Sequence, residues 1–412
     1  MNEVIHIGKL KNNKYDNFLI FIICLLVFGM YGDSLQPIRV IALFFIPFVI
    51  INYLDSKDYR FLNIAYKFIF FLYLFIVFTI LWTSDFQQGI KEIVYYLSHF
   101  SLFILILVFY AKANNPLKSL TKGWFVFIVL TLIIAFAEIF YDYHLSVSFM
   151  DADFQMHFNG GSVEKKFASV TFGNYNTYAM VLSMALPFLF GFLFLHKRYL
   201  TQLFAILVIV FSYFVLLINA SRGGLIAGAI ILIVWMVFAQ KNKIHHLKAK
   251  FFILVPLALY ALGNYMNFLF GQVSNRVSAG TSLDENRGRA KLFDSALDAF
   301  WEQPFFGSGI GSIQIEMELE NVYIHLPHNL ILEFLVQFGL LTTLIVCLAF
   351  LKMFIRIPQH SGFPKAILYS ILLSFPIIFI INSTYLLHPI TWVFLASLYC
   401  VSSFEKQNLN YD

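Results

Sequence analysis

The chain has 412 residues, of which 60% are hydrophobic and 12% charged, with 50 Phe and a net charge of +5. A soluble domain carries about 25% charged residues, so this composition excludes a water-soluble enzyme and indicates a polytopic membrane protein. The basic excess follows the loops between apolar runs, which argues against nucleic-acid binding. Cys24, Cys347 and Cys400 lie inside apolar runs without metal-ligand spacing and read as packing residues.

About 20 apolar residues cross a bilayer as a helix. Runs of that kind fall near residues 18–31, 38–54, 64–82, 91–111, 124–141, 177–195, 200–218, 224–239, 251–270, 329–350, 365–385 and 388–403. They predict an all-α fold of about 12 transmembrane helices in a single integral membrane domain, 1–412. The polar stretch Met1–Asn17, with no small-residue cleavage site after the first apolar run, predicts no cleavable signal peptide. Lysine and arginine set the orientation. With the N-terminus inside, the cytoplasmic loops hold Lys57 and Arg60, Lys112 and Lys118, Lys197 and Arg198, Lys241 and Lys243, and Lys352 and Arg356. Both termini are therefore expected in the cytoplasm. Two long segments, 142–176 and 271–328, are expected on the outer side.

The first long segment ends in Phe172-Gly173-Asn174-Tyr175-Asn176. Asn174 and Asn176 suit sugar hydroxyls. They equally suit a helix cap, with Asn176 at the N-cap of the next span. Further on, Asn219-Ala220-Ser221-Arg222-Gly223-Gly224 sits between two spans on the outside. An outside arginine runs against the charge trend. Its guanidinium suits bidentate binding of phosphate, and Gly223 and Gly224 let a diphosphate approach the backbone. Interfacial snorkelling of Arg222 and tight helix packing through Gly224 and Gly228 are the competing uses.

The second long segment is predicted to hold an amphipathic helix near 287–301, with Leu292, Phe293, Ala296, Leu297 and Phe300 on one apolar face. Arg287, Arg289 and Lys291 stand at its start, where cations oppose the macrodipole. An anion site and a solvated basic helix end both fit that placement. Pro304-Phe305-Phe306-Gly307-Ser308-Gly309-Ile310-Gly311 then reads as a structural turn, since no strand precedes it and it lacks a Lys-Ser/Thr pair. Pro327-His328-Asn329 closes the segment at the start of an apolar run, which places an imidazole where a helix enters the membrane. Ionisable groups at such a depth are functional candidates, and an interfacial anchor beside a proline helix start is the plainer use.

Taken in order, these stretches resemble the O-antigen ligase and polymerase-like integral membrane glycosyltransferases. Phe172–Asn176 is similar to the family's asparagine loop, and Ser221-Arg222-Gly223 to its Ser-Arg-Gly turn. Arg289 with Leu292, Phe293, Ala296, Leu297 and the Pro304–Gly309 turn is similar to its arginine-led helix and Pro-x-x-Gly-x-Gly motif. His328-Asn329, nine residues, Gly339, two residues and Thr342 fit a ligase signature. Some polymerases of the family carry Arg, ten residues, then Gly; here the residues at that offset from Arg276, Arg287 and Arg289 are Arg287, Asp298 and Phe300.

The resemblance implies a GT-C-like membrane fold that transfers a glycan from undecaprenyl diphosphate to an acceptor hydroxyl, such as that of the lipid A core. It implies no nucleotide-sugar, cofactor or metal. His328, Arg289 and Arg222 are the expected catalytic residues, and Asn329, Arg287, Asn174, Asn176 and Ser221 the expected substrate contacts, with Glu333 orienting the site. A polysaccharide polymerase of the same family is the alternative. From another class, a lipid-linked glycan transporter fits the span count, but would place charged groups along a cavity through the spans.

Overall fold

The computed structural model describes residues 14–54, 60–147, 155–158, 161–164, 166–241, 283–317, 326–355, 357–382 and 384–403. The expected span 251–270 and most of the segment 271–328 before residue 283 lie outside the described residues, as do the side chains of residues 283–290.

Helices fill the chain where the apolar runs predict them. They are α1 (Lys14–Cys24), α2 (Pro37–Phe44), α3 (Ile46–Leu54), α4 (Arg60–Phe78), α5 (Phe86–Lys112), α6 (Pro116–Tyr141), α7 (Tyr175–Leu195), α8 (Tyr199–Ile218) and α9 (Arg222–Lys241). After the undescribed stretch come α10 (Leu283–Glu302), the short α11 (Ile313–Glu316), α12 (Leu330–Ile355), α13 (Gly362–Ile378) and α14 (Pro389–Ser402). Among the described residues 7 helices are long and apolar enough to cross a membrane, with α13 and α14 as shorter apolar helices. The fold is thus an all-α polytopic membrane protein. Among the described residues the departure is a small antiparallel hairpin in the first long loop, β1 (Gln155–Phe158) with β2 (Gly161–Glu164).

Helix starts follow local chemistry. Pro37, Pro116 and Pro389 occupy the first turns of α2, α6 and α14, where a missing N–H costs nothing. Asp85 caps α5 by accepting from the Gln88 N–H at 2.9 Å. The bundle centres on α5 and α7: 83% and 89% of their spanning windows are buried, against 33% for α4 and α9. Around them α1 packs on α6, α14 on α5, and α13 on both α7 and α9. Sparse polar contacts tie helices inside the apolar core. Trp124 Nε1 donates to Ser397 Oγ at 3.0 Å, and the Tyr178 hydroxyl meets Thr131 Oγ1 at 3.1 Å. Outward-facing Phe44, Phe70, Phe71, Ile133 and Leu348 are exposed, as a lipid-facing surface requires.

Three expected spans are corrected. The run 38–54 is two helices, broken at Phe45. The run 365–385 ends as a helix at Ile378, and the described residues 379–382 and 384–388 form a turn-rich connection. The run 329–350 is interrupted at Gly339, whose φ of 69° and ψ of 178° are not helical.

The break in α12 has a partner. Residues 304–309 insert into it, and backbone groups freed by the interruption are taken up there. Ser308 N–H donates to Val336 O at 2.8 Å, Gly309 N–H to Gln337 O at 3.0 Å, and Leu340 N–H to Pro304 O at 2.8 Å. Irregular backbone at membrane depth survives only when protein satisfies it, and this loop does so. A β-carbon on Gly339 would lie 2.3 Å from Phe305 O, and one on Gly307 would lie 2.5 Å from Gln337 O. The two glycines therefore face each other across one joint. The far side of the loop is held by Trp82 Nε1 donating to Gly307 O at 2.9 Å and Thr83 Oγ1 donating to Ile310 O at 2.6 Å.

Candidate active site

The end of the bundle where α5, α7, α9, α12 and α14 begin is ringed by polar turns. The first is residues 166–174, laid down into the protein so that Phe167 through Phe172 are buried. Glu138, near the end of α6, accepts from the N–H groups of Ser169 at 2.9 Å and Val170 at 2.8 Å. Asn219 grips Ala168 at both ends, accepting from its N–H at 2.8 Å and donating to its carbonyl at 2.9 Å. These clamps hold Val170 at φ +55°, a left-handed conformation that a β-branched residue rarely adopts. The turn ends at the α7 cap. There the Asn174 side chain, not that of Asn176, accepts from the Asn176 N–H at 2.7 Å. The N-cap thus lies two residues earlier than expected, and both asparagines are half-buried.

His144 closes over this clamp. Its Nδ1 is 3.5 Å from Glu138 Oε1, its Nε2 is 3.4 Å from Asp142 Oδ1, and its ring stacks on Phe167 with centroids 4.5 Å apart. The contact with Glu138 raises the His144 pKa above its ordinary value; burial opposes this, and the charges of Glu138 and Asp142 add to it. A raised folded-state pKa gives a stabilisation that is complete below the ordinary value of about 6.5 and fades as pH climbs through the raised one. Amide exchange in residues 166–173 is therefore expected to accelerate, beyond the intrinsic trend, as pH rises above about 6.5. The variant His144→Asn should lose that excess. Identical pH dependence in the two proteins would show that the imidazole does not charge there.

The same Asn219 clamp fixes the next turn. Ala220 is left-handed at φ +48°, Ser221 is buried beneath the turn, and Arg222 opens α9 with its side chain exposed. His328 is also left-handed, at φ +51°, and half-buried. Asn329 Oδ1 accepts from the N–H groups of Ile331 at 2.9 Å and Leu332 at 3.3 Å, so this carbonyl caps α12 and sets the turn that carries His328.

The loop 379–388 joins these turns. Phe379 O accepts from Leu330 N–H at 3.2 Å, next to His328-Asn329. The Ile381 side chain lies against Gly223, where a β-carbon would sit 2.7 Å from it. Asn382 Oδ1 accepts from Thr177 Oγ1 at 2.9 Å, beside the asparagine turn. Three residues of extended chain span roughly 10 Å, so the Arg222 and His328 turns share one side of the bundle as close neighbours. Glu333 anchors the loop from α12. Its carboxylate, 1% exposed, accepts from Tyr385 N–H at 2.8 Å and Leu386 N–H at 3.0 Å. Sequence reasoning missed this hub, because Ile, Phe and Leu around it read as membrane span; Asn382-Ser383-Thr384 was the available turn signal.

Arg287 and Arg289 lie on α10, described from Leu283 to Glu302. The apolar face of α10 is observed: Leu292, Ala296, Ala299 and Phe300 pack on Leu332 and Val336 of α12, with Leu297 alongside. Phe293 instead turns outward, 45% exposed. This packing lays α10 over the first turns of α12, immediately after His328.

A family model described as O-antigen ligase matches residues 204–347. No curated protein matches the chain. The matched stretch runs from α8 through the break in α12 and contains Arg222, Arg289, His328, Asn329 and Gly339. Over residues 204–347, then, this chain is similar to the O-antigen ligase family.

Proposed function

We propose that the protein transfers a glycan from a polyprenyl diphosphate to an acceptor hydroxyl at the outer face of the bacterial inner membrane, in the manner of an O-antigen ligase. O-antigen ligase or polymerase-like activity in general accords with the family match. The observation carrying the finer reading is the convergence of the Arg222 turn and the His328-Asn329 turn on the loop 379–388. An exposed guanidinium and a half-buried imidazole there suit a lipid diphosphate and an incoming hydroxyl.

In this reading the acceptor oxygen attacks the anomeric carbon from the side opposite the diphosphate. The new glycosidic bond forms as the anomeric carbon–phosphate oxygen bond breaks, and the diphosphate leaves with the bonding electrons. His328 takes the hydroxyl proton. Arg222, joined by Arg289 and Arg287 from α10, stabilises the charge that grows on the diphosphate. The configuration at the sugar is inverted. Asn329 sets the His328 turn, Ser221 sets the Arg222 turn, and Asn174 and Asn176 line the neighbouring one, where sugar hydroxyls find amide partners. The acceptor is a lipid A core hydroxyl or another glycan hydroxyl.

Lipopolysaccharide banding of a deletion strain tests this. Loss of O-chains with accumulation of long lipid-linked polymer is the expected result. A single repeat on the core would point to the polymerase instead, and unchanged banding would overturn both. Complementation with Arg222→Ala should restore about 1% or less of the transfer, and Arg222→Lys more than Ala. Such a loss is on the scale of removing one preorganised charge stabiliser, ~10²–10³-fold.

A further inference from the structure

Arg39 is a buried cation that the transfer chemistry leaves without a task. It is 7% exposed, yet Asp33, the carboxylate whose charge it feels, is exposed to solvent. Its guanidinium instead donates to the carbonyls of Leu387 at 2.7 Å and Asp33 at 3.2 Å, and its Nε donates to His99 Nε2 at 3.3 Å. Since Nε can only donate, that His99 nitrogen is the acceptor and the ring is neutral. The Tyr95 ring covers the guanidinium at 4.0 Å from its centroid.

Glu333 presents the mirror image: a buried carboxyl group whose oxygens accept from the N–H groups of Tyr385 and Leu386. Between them the two side chains grip three consecutive residues. Glu333 takes the amides of 385 and 386, and Arg39 takes the carbonyl of 387. Trp392 Nε1, from α14, donates to the intervening Leu386 carbonyl at 2.8 Å. The loop is held by helices far apart in sequence: α2, α12 and α14.

We infer that Arg39 and Glu333 clamp the backbone of residues 385–387 from its two sides, and that Arg39 is a positioning residue which fixes the loop 379–388 and, through it, the Arg222 and His328 turns. The catalytic consequence rests on the transferase reading above; the structural one does not.

Hydrogen exchange on the full-length protein in lipid nanodiscs tests the pair, with peptides covering 384–388 as the readout. Arg39→Met and Glu333→Gln should each speed exchange there at least tenfold while peptides of α7 stay unchanged. The double variant should exchange no faster than the faster single. Arg39→Lys should recover part of the protection, because an ammonium still reaches the Leu387 carbonyl, and it carries the test where Arg39→Met does not fold. Unchanged exchange at 384–388, or single effects that simply multiply in the double variant, would overturn the inference. In complemented deletion strains transfer should fall with the loss of protection. His328→Asn should abolish transfer while leaving exchange at 384–388 as in the parent. Normal transfer by His328→Asn would defeat the transferase reading alone and leave the exchange result standing.

Discussion

Replacing His328 by asparagine is expected to reduce glycan transfer by about 10²–10⁴-fold, the usual worth of a positioned general base, while the lipid-linked donor still reaches the outer leaflet. Asparagine is the informative substitution because His328 sits at φ +51°. Asparagine tolerates the left-handed region, whereas alanine adds backbone strain of about 1–2 kcal/mol to the loss of the ring. A large loss in His328→Asn with an unchanged melting temperature assigns the effect to the imidazole. Loss confined to His328→Ala would assign it to the turn instead. Counting donor on the outer leaflet separates transfer from transport, since a transporter would fail in delivery itself. The measurement is labelled lipid-linked glycan in the outer leaflet, set against glycan on the acceptor in the same cells.

The largest effect on stability is expected at Gly339. Alanine there places a β-carbon 2.3 Å from Phe305 O and 2.4 Å from Phe305 C, at a backbone φ of 69°. The conformation alone costs about 1–3 kcal/mol. Pushing residues 304–309 out of the break forfeits the backbone hydrogen bonds that fill it, each worth about 1 kcal/mol. Gly339→Ala should therefore cost roughly 4 kcal/mol or more, seen as a collapsed yield of folded protein or a sharply lowered melting temperature in detergent. Gly307→Ala attacks the same joint from the other side, so the double variant should be little worse than either single. Gly362→Ala is the control. Its φ is +65°, but its nearest neighbour, Pro364 Cδ, is 4.0 Å away, and only the conformational part of the loss should appear. Equal losses at Gly339 and Gly362 would mean that the interlocking loop contributes nothing.

Much of the architecture was legible because a bilayer imposes a length and a polarity on each helix. The described helices fall on the expected apolar runs, and α10 shows the apolar face read from Leu292, Ala296 and Phe300. The errors arose where long-range contacts decide the outcome. Gly339 looks like one more residue in an apolar helix until Pro304 and Phe305, more than thirty positions earlier, are placed beside it. The burial of Arg39 could not be read because nothing local announces the Leu387 carbonyl to which it donates. Asn174 and Asn176 are equally good caps by type, and the docking of residues 166–172 chooses between them. For the candidate site, the arginine turn and the His328-Asn329 turn stood out as polar groups at membrane depth. The carboxylates that support them were visible only as Glu138 and Glu333 inside apolar runs, with no sign of the backbone each would hold.

The joint at Gly339 bears on how this lineage can diversify. The wedge that fills the interrupted helix comes from the same stretch of chain as the helix itself, so the clip between α10 and Phe338 is closed by its own sequence. Changes in chain length immediately before Leu283 therefore leave the pairing of residues 304–309 with α12 intact.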